Sequence, residues 1–507
     1  MHKHWQGYVF HQLEVTAPHS ANLFPQQATI GELSDKVLLN IFHYYLDVSA
    51  RHWHRLVHTC RRWRSVVFAF HSALQLRLFC THGTPVQKSL YYWPTDLLIV
   101  MEYGGSPELD PPAPEDENNI VALFEQSYRV TSISLTITSS LLEKLSAVES
   151  PLSMLENLNL LSRISELVTL PGTFQWGPRL SCLRLSRIAF PAFLPLLNTS
   201  RNLVDLQLHE VPGPWPISPD EFAQVLSRMA QLLFLSLHLL STADSISSSP
   251  LPRERVTLSL SRLKFRGTTK FLEDMAARID APHLMDIEIT SSDDTICDLS
   301  NLSQFIDRVE LHKLHHRAQI LSSEDDVSIR FLQTRRWSPT CLTLKLLCKS
   351  LPVQLSSISR ILAHFPTLLF NVEDLRIIMR RKSRREDIFN GGEWLRLIAS
   401  FASVKWFHAS KDVLALSLHP LQSPHTRHDI VLPVLHKLYI YELRPGLPHA
   451  PLMDEIVSLM VSRQISGHPI VVEYEKPFSF RELIRNILET STMHARSRRY
   501  YPLTCLE

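Results

Sequence analysis

The feature that most narrows what this chain can fold into is a spacing. Between residues 130 and 290 an apolar-x-x-apolar-x-apolar triplet recurs in phase: Val130/Ile133/Leu135, Leu155/Leu158/Leu160, Leu180/Leu183/Leu185, Leu203/Leu206/Leu208, Leu232/Leu235/Leu237, Leu260/Leu263/Phe265 and Leu284/Ile287/Ile289. Their first members lie 23 to 29 residues apart. With 45% apolar residues a single triplet arises by chance at about 9% of positions, so the phase carries the information. Between triplets, runs such as Glu221 to Met229 and Phe271 to Ile279 return an apolar residue every three or four positions, the period of a helix. One short strand and one helix per repeat predicts an α/β solenoid, in which each repeat buries the apolar face of its neighbour.

The pattern loosens over Asn301 to Arg336, which reads as helix-like and polar. Leu342, Leu344 and Leu346 then alternate as a strand, and Ser357 to Phe365 reads as a helix. Triplets return at Val372/Leu375/Ile377 and Leu435/Leu438/Ile440, with a Trp394/Leu397/Ile398/Phe401 helix and a Val404/Trp406 strand between them. Asp454 to Arg463 predicts a last helix and Ile470 to Val472 a last strand. The solenoid therefore spans residues 120–475, and residues 476–507 are expected to hold a helix, Phe480 to Leu488, and a polar tail. The repeat matches the strand core of leucine-rich-repeat proteins. That family's Asn or Cys three places beyond the triplet is replaced here by Arg163, Ile188, Val211 and Leu240, which predicts irregular pitch.

Upstream, residues 1–29 have weak periodicity and read as a mobile leader. Residues 30–72 form a small helical module. Val37, Ile41 and Tyr45, with Leu38 and Phe42 beside them, make an apolar stripe on a first helix that Ser34 is placed to cap. Trp53, Leu56, Val57 and Cys60 share a face of a second helix. Residues 73–119 are a joint: two strands around a turn at Gly83 to Pro85, then a Pro- and acid-rich loop over Pro107 to Asn119. A module of this size buries too little surface to be very stable alone, so it is expected to complete its core against a partner or the rest of the chain.

The module resembles the F-box. Leu33, Val37, Leu38, Ile41, Phe42, Leu46, Val57, Cys60, Arg61, Trp63 and Arg64 fall on that motif, with Ser34 in place of its usual proline and Lys36 in place of an acidic residue. The order of module, joint and repeats makes the whole chain resemble fungal F-box proteins with divergent leucine-rich repeats. The resemblance implies that Leu33, Val37, Leu38, Ile41, Phe42, Trp53, Leu56, Val57 and Trp63 bind a Skp-type adaptor, and through it a cullin ubiquitin ligase. It further implies that the repeats hold a protein target for ubiquitin transfer by other subunits. The alternative is a stand-alone scaffold whose N-terminal helices only cap the solenoid.

Composition excludes several classes but names no partner. The net charge of +2 supplies no global field for nucleic acid or an anionic membrane, and no run of 18 apolar residues suggests a membrane span. Seven cysteines without a Cys-x-x-Cys pair fit a reducing compartment, cytoplasmic or nuclear, rather than a disulfide framework or zinc site. Only 13 glycines occur, and no phosphate-cradling G-x-G-x-x-G or Walker motif, which counts against a nucleotide enzyme. No nucleophile-elbow or H-E-x-x-H signature occurs either, so a non-catalytic chain without cofactors is expected.

If triplet side chains point inward, the intervening positions line the concave face. Glu156, Asn157, Asn159, Arg184, Asp205, Gln207, Arg262, Lys264, Asp286 and Glu288 are therefore the candidate target-binding residues. His312, His315 and His316 have a spacing that puts two imidazoles on one helical face, but no carboxylate or Cys sits at matching spacing, so a surface helix is expected. The run Arg380 to Arg385 reads as an exposed loop or as a basic targeting signal.

Overall fold

Alternation of apolar and polar residues favours extended backbone, because only there do successive side chains point to opposite faces. The computed structural model describes residues 32–93, 95–103, 114–147, 152–163, 168–170, 176–189, 197–214, 217–241, 255–292, 299–309, 315–333, 341–348, 350–379, 391–422, 431–441 and 450–474. The leader, the expected C-terminal helix and tail, His312 and the Arg380 to Arg385 run lie outside them. The chain divides into two compact units, one running to Phe79 and including Tyr92–Leu98, the other comprising Cys80–Tyr91 and the chain from Ile99.

In the helical unit, α1 (Asp35–Ser49) is capped by Ser34, whose side chain accepts from the Val37 amide. It is followed by a short 3-10 turn, by α2 (His54–Val57) and by α3 (Arg61–Ala69), one helix more than the two expected. Leu38, Phe42, Trp53, Leu56, Val57, Val66 and Val67 form its core, with Trp63 and Trp93 packed against it. The Phe42 and Trp63 rings meet edge to face at 4.9 Å, as do Trp53 and Trp93. Trp53 Nε1 donates to the Arg77 carbonyl at 2.7 Å, so this buried indole is satisfied. Arg62 ties the start of α1 to α3 by donating to Asp35 at 2.9 Å and to the Leu33 carbonyl.

The repeat unit is mixed α/β around a large, mostly parallel sheet. Its strands are β1 (Leu98–Tyr103), β2 (Val130–Ile137), β3 (Asn157–Ser162), β4 (Cys182–Ser186), β5 (Asp205–Pro214), β6 (Phe234–Ser241), β7 (Arg262–Gly267) and β8 (Asp286–Ser291). These pair in chain order, each parallel to the next. The register aligns the triplets: Ile133, Leu158, Leu183, Leu206, Leu235, Leu263 and Ile287 stand side by side. Every residue of the seven triplets is buried, as their phase predicts. Helices such as Pro219–Leu226, Thr269–Ala276 and Ser300–Arg308 return the chain between strands, which makes the unit leucine-rich-repeat-like.

One backbone device recurs at each turn. The carbonyl of the residue just before a strand position accepts two successive amides from the next repeat. Glu156 O takes Ser181 and Cys182, Ser181 O takes Val204 and Asp205, and Val204 O takes Leu233 and Phe234. Leu233 O takes Ser261 and Arg262, and Ser261 O takes Met285 and Asp286, all at 2.7–3.2 Å. On the helical side Glu273 plays a similar part with its side chain. Its carboxylate accepts from the Asn301 and Leu302 amides at 2.9 Å each, capping a helix whose own N-cap, Leu299, has no side-chain acceptor.

The loosened stretch is a reversal of strand order. β9 (Arg317–Ser322), β10 (Asp326–Leu332) and β11 (Cys341–Leu347) form an antiparallel meander, in which β11 pairs with β8 while β9 lies farther along the sheet. β9 then takes the next parallel strand, β12 (Asp374–Met379), followed by β13 (Trp406–Ser410), β14 (Lys437–Tyr441) and β15 (Val471–Tyr474). The paired-amide carbonyls resume at His316, Glu373 and Lys405.

Several expectations are corrected. The joint holds a helix, Val86–Tyr92, between strand Arg77–Thr81 and β1, although Gly83 does make the expected turn with a positive φ of 72°. Residues 114–119 are not loop but the start of helix Pro114–Phe124, whose first-turn Glu115, Asp116 and Glu117 suit its positive end. Asp116 also accepts from the Gly83 amide at 3.2 Å. Among the described residues of the polar stretch only Asn301–Arg308 is helical, and His315 is buried next to β9 rather than on a surface helix. A strand does stand at the expected Val404/Trp406 position, with Val404, Phe407 and Ala409 inward and Trp406 37% exposed.

Truncating an aligned core residue removes packing on both neighbouring repeats. Leu206→Ala is expected to destabilise the repeat unit by about 2–5 kcal/mol, measured by denaturant unfolding followed by circular dichroism. An effect below about 1 kcal/mol would mean that the site collapses without loss of contacts.

Candidate functional site

Outward positions of the sheet form rows, because paired residues on neighbouring strands point to the same face. The second outward position of each strand gives the row Ser134, Asn159, Arg184, Gln207, Ser236, Lys264, Glu288, Thr343, Arg330, Gln319, Arg376, His408, Tyr439 and Glu473. The position before the central inward residue gives a companion row that includes Asn157, Asp205, Phe234, Arg262, Asp286, Arg317, Asp374, Trp406 and Lys437. Nine of the ten candidate residues fall on these two rows, and Glu156 sits just before β3 as a carbonyl acceptor.

In the first half these residues pair with one another, although the Arg184 Nε is buried without a hydrogen bond. Asn159 donates to Ser134 at 3.1 Å, and Arg184 and Gln207 both donate to Asp205, at 2.7 and 2.8 Å. Arg262 pairs with Asp286 at 3.1 Å and stacks over the Phe234 ring, and Lys264 pairs with Glu288. Burial pushes the Asp286 carboxyl up, against the pull of Arg262 and Lys264. Burial beside Asp205 likewise pushes the Cys182 thiol up to about 12, so it is neutral and a poor nucleophile.

The second half holds a cleft of about 500 Å³ lined by His316, Arg317, Glu373, Asp374, Arg376, Trp406, His408 and Tyr439. None of these residues stands among the ten expected to contact a target, although the signal is present in the sequence: the same rule applied to β12, β13 and β14 names Asp374, Arg376, Trp406, His408, Lys437 and Tyr439. Arg317 donates to Asp374 Oδ2 at 2.7 Å and Lys405 to Glu373 at 2.6 Å, while Asp374 Oδ1 is buried without a hydrogen bond. Arg376 is less well served. Its Nε is buried without a hydrogen bond, 3.8 Å from the Asp374 carboxylate. Arg330, two strands along the same row, makes no ion pair among the described residues, and its Nε is likewise buried without a hydrogen bond.

His408 stacks on Tyr439 with ring centroids 4.3 Å apart, and its Nδ1 is hydrogen-bonded to the Tyr441 hydroxyl at 3.0 Å. Asp374 lies 3.3 Å from Nε2, yet burial, with the guanidinium groups of Arg376 and Arg317, pushes the imidazole down to about 3. His408 is therefore a neutral, flat wall of the cleft at physiological pH. Among the described residues no group of His, Cys, Asp and Glu is placed to hold a metal, and no helix is long and apolar enough to cross a membrane.

In the helical unit the nine adaptor candidates divide. Leu38, Phe42, Trp53, Leu56 and Val57 are core, while Leu33 and Trp63 are half-buried. Val37 and Ile41 are 42% and 43% exposed, and Tyr44 and Val48 continue the same stripe one and two turns on, at 75% and 70%. The outward apolar face of α1 is thus Val37, Ile41, Tyr44 and Val48, of which only the first two belong to the F-box-like motif.

No family model matches the chain, and no curated protein matches it. Among solved structures it is similar to the leucine-rich repeat-containing protein LegL7 from Legionella pneumophila, at 12% identity over 78% of this chain and 99% of that chain, with a TM-score of 0.26.

The neutral state of His408 has a consequence for stability. Its folded pKa, about 3, lies below the unfolded value of 6.5, so unfolding takes up a proton between those two values and stability falls as pH drops through 6.5. The loss approaches about 1.4 kcal/mol per pH unit. His408→Gln is expected to reduce the difference in melting temperature between pH 7 and pH 5, and imidazole proton resonances of the wild type should show His408 untitrated over that range. A midpoint near 6.5 would show that Asp374 controls the ring instead.

Proposed function

We propose that the chain is a non-catalytic substrate receptor of a Skp-cullin-F-box ubiquitin ligase, acting in the cytoplasm or nucleus. Its helical unit docks a Skp-type adaptor, and its repeat unit binds a protein target on the outward rows of the sheet. Transfer of ubiquitin falls to other subunits, and this chain contributes binding energy and geometry. The observation that carries the proposal is the apolar stripe Val37, Ile41, Tyr44 and Val48 on α1. The unit has completed its own core with Leu38, Phe42, Trp53 and their neighbours, so a second apolar face on the same helix fits a partner rather than internal packing. Among the described residues Cys60, Cys80, Cys182 and Cys348 are free thiols, which accords with a reducing compartment.

The test is co-purification of the full chain with a Skp-type adaptor. The wild type should retain the adaptor. Val37→Asp with Ile41→Asp should weaken retention by more than about a hundredfold, since two apolar side chains each worth roughly 1.5–3 kcal/mol would face the partner as charges. Circular dichroism should be unchanged, because both side chains lie outside the core. Substituting Leu38 or Phe42 is unsuitable, because either change unfolds the module. If the wild type captures no adaptor, the receptor proposal fails and a scaffold with capping helices takes its place.

A further inference from the structure

The helix that follows β14, Ala450–Ile465, carries two apolar sets. Leu452, Ile456 and Leu459 recur every three or four positions and are buried. Val457, Met460, Val461 and Ile465 recur at the same period on a second flank, and all four are exposed, Ile465 by 81%. The helix Lys411–Gln422 packs against Ala450–Ile465, so this flank is not the one it covers. Earlier helices differ: Pro219–Leu226, Thr269–Ala276, Ser300–Arg308 and Gly391–Ala399 show no large exposed apolar side chain among the described residues. β15 is the last strand of the sheet and pairs only with β14 among the described residues, and its Val471 is 52% exposed. Stacked repeats cover one another's flanks, so an apolar flank beside an open strand edge calls for one more layer.

We infer that residues 480–488 of this chain supply that layer, docking Leu483, Ile484 and Ile487 against Val457, Val461 and Ile465. Three observations favour these residues, which lie outside the described ones. Phe480, Leu483, Ile484 and Ile487 repeat the spacing of Trp394, Leu397, Ile398 and Phe401, the buried set at helix Gly391–Ala399. Five residues separate Tyr474 from Phe480, between the four that separate β5 from the helix at Pro219 and the eight that separate β8 from the helix at Ser300. In a run of parallel strands with connections of one hand, each helix lands beside the one before it, which is where the open flank stands. A second copy covers the same flank only by a bimolecular contact, whereas the tethered segment meets it at high effective concentration. The end of the repeat unit is then closed to other partners, and binding is left to the outward rows of the sheet.

The test is amide hydrogen exchange of the full chain, followed peptide by peptide in a mass spectrometer. Amides of residues 480–488 should exchange about a hundredfold slower than unstructured backbone, at every chain concentration. Val457→Asp with Val461→Asp should cut that protection by about tenfold or more, while β12 and β13 keep theirs, because both side chains lie outside the core. Leu483→Asp with Ile487→Asp leaves the described residues unaltered, and it should release residues 480–488 and speed exchange in Ala450–Ile465. Unprotected amides over 480–488 in the wild type would overturn the inference. So would protection that survives Val457→Asp with Val461→Asp, or exchange in Ala450–Ile465 that Leu483→Asp with Ile487→Asp does not change. Protection that grows with chain concentration, alongside a dimer in sedimentation, would assign the flank to a second copy and overturn it equally.

Discussion

The repeat unit depends on a carbonyl that accepts two amides. At Glu156, Ser181, Val204, Leu233 and Ser261, and again at His316, Glu373 and Lys405, one backbone oxygen holds the first two amides of the next strand entry. Because the first of those two residues is usually the next acceptor, the contact hands itself from repeat to repeat. Register is thereby set by backbone, and no particular side chain is required at the position. This accounts for a solenoid whose repeats vary between 23 and 29 residues and lack the family's usual Asn or Cys, yet keep Leu158, Leu183, Leu206, Leu235 and Leu263 in one line.

Fixed register separates the work of the two faces. Inward residues answer to packing, and outward ones are free to carry chemistry, because changing one does not shift the other. The meander of β9, β10 and β11 uses this freedom. Although β10 runs against its neighbours, Phe331 still aligns with Leu342 and Ala318, so the core is continuous through the reversal. The same pairing delivers Arg330 to the outward row next to Gln319 and Arg376. A reversal that costs the core nothing in alignment thus changes the charge of the face.

The inward half of this structure is legible in the sequence, because burial leaves a periodic trace: the seven triplets, the helix at Phe271 and the strand at Leu342 all stand where the spacing puts them. The meander is not, even though Val327, Ile329 and Phe331 alternate within it, since a repeat of 23 to 29 residues has no place for three strands in close succession. Strand order reversal is a pairing choice that leaves no mark on either strand alone. On α1 the motif groups Leu38 and Phe42 with Val37 and Ile41 as one partner-facing set, whereas the helix turns the first pair inward and the second outward. Periodicity finds two apolar stripes on such a helix but not which of them the module's own Trp53 and Val67 will claim. Helix Pro114–Phe124 is hidden for a different reason, because proline and clustered acid mark a helix's first turn as well as a loop.

The sequence also directs attention to the half of the outward face that is chemically least ready to bind. Arg184 with Asp205, Arg262 with Asp286 and Lys264 with Glu288 are charged enough to stand out in a sequence, but each is already answered. A partner docking there must displace or desolvate an existing pair, and the exchange returns little net energy. Arg376 and Arg330 each keep a buried Nε without a hydrogen bond, as Arg184 does, so unmet donors occur in both halves of the face. Charge count alone ranks these regions equally. The cleft beside Trp406 separates them, because its exposed indole offers apolar area to a partner without first breaking an ion pair.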